Sequence, residues 1–153
     1  MQTDTMRLRE LTIRYTVKRT GDGAPALAMH TLRTPSDCAD TMRQLLEDEP
    51  SEVFAILCLS TKLRVLAYHE VGRGSLDTAL AHPREVYRAA ILANAASIIL
   101  VHNHPSGDPT PSPDDVALTH RLRSAGAVLG IDVLDHLVIG DGRYYSFKAN
   151  AHW

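Results

Sequence analysis

The strongest constraint on the fold is a change of pattern between residues 96 and 118. Ala96-Ser97-Ile98-Ile99-Leu100-Val101 is an apolar run of strand length, bounded in the way a buried strand is bounded. It leads straight into His102-Asn103-His104-Pro105-Ser106-Gly107-Asp108-Pro109-Thr110-Pro111, too dense in proline and glycine to continue a regular element. Ser112-Pro113-Asp114-Asp115 then opens a helix, with serine at the N-cap, proline at the first helical position and an acid at the third. Two histidines leave the end of a strand, and a stiff loop delivers a carboxylate at a helix start.

That order of elements carries a chemical implication. If the strand persists through His102 and His104, its period of two puts both imidazoles on one side. Imidazole and carboxylate together suit zinc. With Asp115 brought back beside the histidines, three protein ligands leave one tetrahedral position for water, as in a catalytic zinc site. Each residue also has a plain structural role. His-x-His alone is a weak signal, Asp115 completes a capping box with Ser112, and Gly107 and the prolines make a turn. Specificity lies in the sequence of elements and not in any single residue.

Upstream, Leu11, Ile13, Tyr15 and Val17 alternate as a strand, and Gly21-Asp22-Gly23 turns the chain. Thr34-Pro35 or Ser36 starts a helix with Cys38, Met42, Leu45 and Leu46 as its apolar stripe, ended by Glu47-Asp48-Glu49-Pro50. Val53 to Leu59 is continuously apolar, as a central strand covered on both faces should be. Ser60-Thr61-Lys62 turns into a second strand, Leu63 to Val71, which Gly72-Arg73-Gly74 is expected to break. After a link over 76–82, Pro83 opens a helix whose Val86, Ala89, Ala90 and Ala93 permit close packing. The helix opened at Ser112 is expected to stop at Gly126. Val128 to Ile139 holds one or two strands, and Gly140-Asp141-Gly142 turns into a last strand over Arg143–Phe147. Helical crossovers mixed with short connections predict an α/β fold with a mixed, mostly antiparallel sheet packed with helices.

Composition narrows the function classes. A net charge of -2 without a long basic run gives no support for a nucleic-acid surface. Cys38 and Cys58 form no C-x-x-C pair, so neither a disulfide scaffold nor a cysteine metal site is expected, and the reducing cytoplasm is the expected compartment. The chain opens polar at Met1-Gln2-Thr3-Asp4, and no stretch is long and apolar enough to predict a membrane span.

His102-x-His104-Pro105 followed by Ser112-x-x-Asp115 resembles the signature of the JAMM (MPN-type) metallopeptidase domain. Glu52-Val53-Phe54, Gly72-Arg73-Gly74-Ser75-Leu76, His82-Pro83-Arg84-Glu85-Val86, Val101 to Pro109 and Asp135 to Gly142 are similar more specifically to the RadC family. The resemblance covers roughly Thr34 to Phe147. It implies a JAMM/MPN, cytidine-deaminase-like architecture over 34–153, with 1–33 as an N-terminal strand and extension of one compact domain. The helix-hairpin-helix region of full-length members is not expected in this chain. The resemblance further implies one Zn2+ held by His102, His104 and Asp115 with a water as fourth ligand. Glu52 is the general base by motif, with Glu49 and Glu47 as alternatives should the alignment slip, and Ser112 an oxyanion stabiliser whose hydroxyl hydrogen stays available while its oxygen caps the helix.

The implied activity is hydrolysis of peptide or isopeptide bonds in a protein or peptide substrate. Rival readings are a DNA-associated repair factor or nuclease-like metal enzyme, and an inactive metal- or partner-binding module. A zinc deaminase is set aside, because His-x-Glu and Pro-Cys-x-x-Cys are missing. An antiparallel edge or the last hairpin offers a surface for a homodimer. His69 reads as a half-buried strand residue and Asn103 as a partner for hydrogen bonds within its loop. His136 is given only a minor prospect of lining the site. Arg73 and Ser75 divide evenly between substrate contact and loop duty, and His30, His82, His120 and His152 are assigned no chemistry. Trp153 is expected on an apolar patch or a partner surface.

Overall fold

The continuously apolar run predicted as a central strand lies at the heart of a five-stranded sheet in the computed structural model, which describes residues 31–46, 48–74, 81–150 and 152–153. The expected strand over 11–18 and its following turn, and Glu47, Ser75, His30 and most of the 76–82 link, lie outside the described residues. The elements run α1 (Pro35–Leu46), β1 (Val53–Leu59), β2 (Val65–Arg73), α2 (Pro83–Leu92), β3 (Ser97–Asn103), α3 (Pro113–Leu129), β4 (Asp132–Ile139) and β5 (Tyr144–Ser146). Strand order is β2-β1-β3-β4-β5. β1 pairs antiparallel with β2 and β3, β4 pairs antiparallel with β5, and β3 with β4 is the parallel pair. The expected mixed, largely antiparallel sheet is what forms.

Every residue of β1 and β3 is buried, because helices cover both faces. Val53, Ala55, Leu57, Leu59, Ile99 and Val101 meet Cys38, Met42 and Leu46 of α1 on one side. Phe54, Ile56, Cys58, Ile98 and Leu100 meet Val86, Tyr87, Ala90 and Leu122 of α2 and α3 on the other. Alternation along β3 therefore sends His102 toward the α2/α3 face and Asn103 toward the α1 face.

Helix ends follow the expected chemistry, with one correction. Thr34 and Asp37 cap α1 reciprocally, the Asp37 N–H donating to Thr34 Oγ1 and the Thr34 N–H to Asp37 Oδ2. His82, assigned no chemistry above, caps α2 by accepting from the Arg84 N–H through Nδ1. α3 does not stop at Gly126 but continues to Leu129, and Gly130 (φ +70) provides the left-handed cap. Gly126 has a packing role instead: a Cβ there would meet the Tyr87 hydroxyl and the Ile131 carbonyl. Nor does Gly72 break β2, which runs on to Arg73 before Gly74 (φ +97) turns away.

β4 carries an irregularity that matters for the site. Ile98 pairs with Val133 and Ile99 with Asp135, so Leu134 is an extra residue in the ladder. Such a bulge reverses the facing of everything beyond it. Val133 packs on the α2/α3 side, yet Leu137 and Ile139 face α1, and His136 falls on the same side as His102.

Candidate metal centre

β3 ends at Asn103 and does not persist through His104, but the His104 N–H still donates to the Ile139 carbonyl of β4 at 2.9 Å, which keeps both histidines within reach of the start of α3. The capping box forms as expected: Asp115 N–H donates to Ser112 Oγ at 3.1 Å and Ser112 N–H to Asp115 Oδ2 at 2.7 Å. Its carboxylate then faces both rings, with Oδ1 3.3 Å from His102 Nε2 and Oδ2 3.4 Å from His104 Nε2. The two Nε2 atoms are 2.9 Å apart. Glu52, at the head of β1, brings Oε1 to 3.9 Å from each. One donor atom from each of Glu52, His102, His104 and Asp115 lies within 4.8 Å of all the others, a cluster able to hold a metal ion.

Hydrogen-bond accounting shows which ring atoms face the cluster. His104 Nδ1 is 2.8 Å from the Asp108 carbonyl, which can only accept, so Nδ1 carries the hydrogen and neutral Nε2 offers a lone pair. That lone pair, His102 Nε2 and two carboxylates gather in one place, an arrangement that favours a cation or a proton between them. The pKa shifts agree. His104 is raised by the Asp115 carboxylate first, then by the Asp108 carbonyl and Glu52, against the opposing effect of burial. Burial acts to raise the Asp115 carboxyl, but the two imidazoles and the Ser112 N–H outweigh it and hold the group well below the ordinary carboxylate range.

The donor set fits zinc. Tetrahedral ligand atoms about 2.0–2.1 Å from the ion stand about 3.3–3.4 Å from one another, and each imidazole has one Asp115 oxygen at that spacing, Oδ1 at 3.3 Å from His102 and Oδ2 at 3.4 Å from His104. The imidazole–imidazole spacing of 2.9 Å is the short edge. The rest of the loop is arranged to hold His104. Gly107 N–H donates to the His104 carbonyl, the Gly107 carbonyl accepts from Asp141 N–H, and Asp108 Oδ1 accepts from both Thr110 N–H and its hydroxyl.

Glu52 is positioned from two sides. Its carbonyl accepts from Gly74 N–H at 2.8 Å. Asn103 acts not within its own loop, as expected above, but across the sheet: its Oδ1 accepts from Val53 N–H at 2.7 Å, and its Nδ2 donates to the carbonyls of Ser51 (3.1 Å) and Glu49 (3.4 Å). One side chain between the two histidines thus clamps the turn that carries the carboxylate. Glu49 itself is engaged with Arg73, which also pairs with Glu70. Arg73 is accordingly a strand-end ion-pair residue.

Other expectations resolve simply. Ser112 is exposed at the N-cap with its oxygen accepting from the helix. His69 lies half-buried on β2, opposite Ile56. Trp153 packs at the edge of the α2/α3 core with the Arg123 guanidinium 4.1 Å above its ring. Sequence reasoning overlooked Thr119 and undervalued His136. Both are fully buried behind His102, on the side away from the cluster. A histidine beside Asp135 at the head of the apolar Leu137–Ile139 run of β4 and a threonine one turn after Asp115 were the available signals.

Comparison with known proteins extends this picture. A family model described as the RadC-like JAB domain matches residues 32–152. A UPF0758 protein of Desulforamulus reducens is 48% identical over 125 residues, covering 82% of this chain and 55% of the relative. A UPF0758 protein of Moorella thermoacetica is 50% identical over 122 residues, 80% of this chain and 53% of the relative. One from Clostridium perfringens is 47% identical over 122 residues, 80% and 54% respectively. The chain spans about half the length of these curated relatives.

Proposed function

This chain belongs to the RadC-like JAB domain family, and on that premise we propose that it is a zinc-dependent hydrolase of peptide or isopeptide bonds. The observation that carries the reading is the convergence of Glu52, His102, His104 and Asp115 from β1, β3 and the start of α3. His102, His104 and Asp115 would hold the ion. When bound, zinc supplies a Lewis acid that polarises a carbonyl and makes water more acidic.

Glu52 differs from the three ligands in reach. Its oxygen stands 3.9 Å from both ring nitrogens, and its side chain keeps about a quarter of its surface exposed. It can therefore accept a proton from an entering water at Oε1 and later deliver it to the departing amine. Clamping by Asn103 and Gly74 orients the Glu52 segment before substrate arrives. Ser112 accepts from the helix through oxygen, and its hydroxyl hydrogen is the donor we assign to a developing oxyanion.

The substrate class we propose is a protein or peptide, and the compartment the cytoplasm. Two buried cysteines without a disulfide support the latter. Among the described residues, no helix is long and apolar enough to cross a membrane.

The test compares zinc-loaded protein with Glu52→Gln on peptide and isopeptide-linked substrates. The variant should bind zinc comparably and lose at least about 100-fold in turnover. Equal hydrolysis by both would refute the assigned mechanism.

A further inference from the structure

Behind His102 runs a buried line of polar groups that the hydrolytic reading does not use. His102 Nδ1 is 2.7 Å from His136 Nε2, and His136 Nδ1 is 2.6 Å from Thr119 Oγ1. The Thr119 hydroxyl is also 2.6 Å from the carbonyl of Asp115. All three side chains are fully buried. Phe147 stacks on the His136 ring at 4.7 Å and Phe54 meets it edge-on at 5.9 Å. Each link is a direct contact of 2.6–2.7 Å, so the hydrogens are shared among the groups themselves.

Only one assignment of hydrogens satisfies every link. The Asp115 carbonyl has none to give, so the hydrogen between it and Thr119 belongs to the threonine hydroxyl. Thr119 has no second hydrogen, and its oxygen must accept from His136, whose Nδ1 is therefore the N–H. The His136 ring is fully buried between Phe54 and Phe147, and its two nitrogens meet Thr119 and His102 and not a carboxylate, so the ring is uncharged. Its Nε2 is then an acceptor, and His102 Nδ1 must donate to it. His102 is left with a lone pair on Nε2, the atom that faces Asp115 and Glu52.

We infer that Thr119 and His136 are positioning residues that fix the tautomer and ring orientation of His102 for metal binding. The inference rests on the zinc reading above and adds residues outside its ligand set. The device anchors to the backbone of Asp115, so the same helical turn that supplies one ligand also sets the proton on another. A carboxylate is a frequent partner behind a metal-bound imidazole. A neutral imidazole also orients the ligand, and it adds no negative charge. With Asp115 and Glu52 already supplying two negative charges, a divalent ion is balanced without a third.

Removing the hydroxyl frees His136 to take its other tautomer. Its Nε2 would then donate to His102 Nδ1 and leave the hydrogen of His102 on Nε2, where the metal must bind. Zinc affinity is measured by chelator competition on the full chain for wild type, Thr119→Val, Thr119→Ser, His136→Leu, His136→Gln and His102→Ala. Heteronuclear NMR of the imidazole rings is recorded in parallel. Thr119→Val and His136→Leu should weaken zinc binding about 10–100-fold and lose the protected His102 Nδ1–H resonance. Thr119→Ser and His136→Gln, which keep a donor and an acceptor at the same places, should stay within about threefold of wild type. Should His136→Leu fail to fold, the Thr119 pair decides alone. Wild-type affinity in Thr119→Val, or an unchanged His102 tautomer in it, would overturn the inference while leaving the zinc site standing. Absence of zinc binding in wild type, or its retention in His102→Ala, would overturn the zinc reading itself.

Discussion

Replacing Asn103 by alanine tests whether one side chain couples the strand leading to the two histidines to the turn bearing Glu52. The carboxamide is nearly fully buried and makes three hydrogen bonds to backbone that is about fifty residues distant in sequence. Truncation leaves the Val53 N–H without its acceptor in a fully buried setting, which costs about 1–3 kcal/mol. The carbonyls of Ser51 and Glu49 are only half-buried, so water can replace the donor there at a smaller cost, about 0.5 kcal/mol each. The sum, about 2–4 kcal/mol, corresponds to a Tm lowered by about 5–15 °C for a chain of this size. Function should be hit selectively. Asn103 points to the face opposite the imidazoles, so zinc affinity should change by less than about threefold, while misplacement of Glu52 by about 1 Å can cost on the order of 100-fold in turnover. Thermal melts, chelator competition and peptide hydrolysis on the same preparation separate the three effects. An unchanged Tm with wild-type turnover would refute the clamp, and loss of zinc binding in proportion to activity would show that Asn103 acts through the histidines.

Three further outcomes follow from the packing. In Gly140→Ala, the new Cβ would stand 2.8 Å from Pro109 Cδ and 3.0 Å from Pro109 N, and nearer still to the Gly107 carbonyl. The loop holding His104 must therefore move, at about 1–3 kcal/mol and with weaker zinc binding; an unchanged urea midpoint would contradict this. Burial pushes the thiols of Cys38 and Cys58 up to about 12, with the carboxylates of Asp135 and Asp37 adding to the effect at Cys38. Native protein at pH 8 should thus resist iodoacetamide while denatured protein labels at both positions, and fast native labelling of either would refute the burial argument. Because these folded-state values lie above the unfolded one, their contribution to stability is complete below about pH 9 and declines as pH rises toward 12. Urea midpoints across that interval measure it.

The local elements of the site were legible because each rests on short-range chemistry. Ile98–Val101 is apolar and strand-length, and Ser112-Pro113-x-Asp115 is a helix start whatever surrounds it. Even the spacing of His102 and His104 follows from the period of a strand. Glu52 was not legible in this way. Nothing in its neighbourhood distinguishes it from Glu47 or Glu49, and only the resemblance to a known family singled it out. Gly126 misled for a related reason: glycine often ends helices, and here a neighbouring tyrosine and carbonyl need the space inside one.

Local chemistry along the chain therefore specifies the set of elements, the donor types and the switch from strand to loop to helix. Tertiary structure decided their meeting. The pairing of β1 with β3 opposes Phe54 to His102 and so brings Glu52 near the imidazoles from about fifty residues away. The extra residue at Leu134 is the subtler case. Alternation read along β4 without that bulge would put His136 on the α1 side with Val133 on the other, away from His102. Register and bulges arise from which partner strand pairs where, a long-range property that no local pattern encodes. The proton on His102 depends on it, through His136 and Thr119, and was beyond reach until β3 and β4 lay side by side.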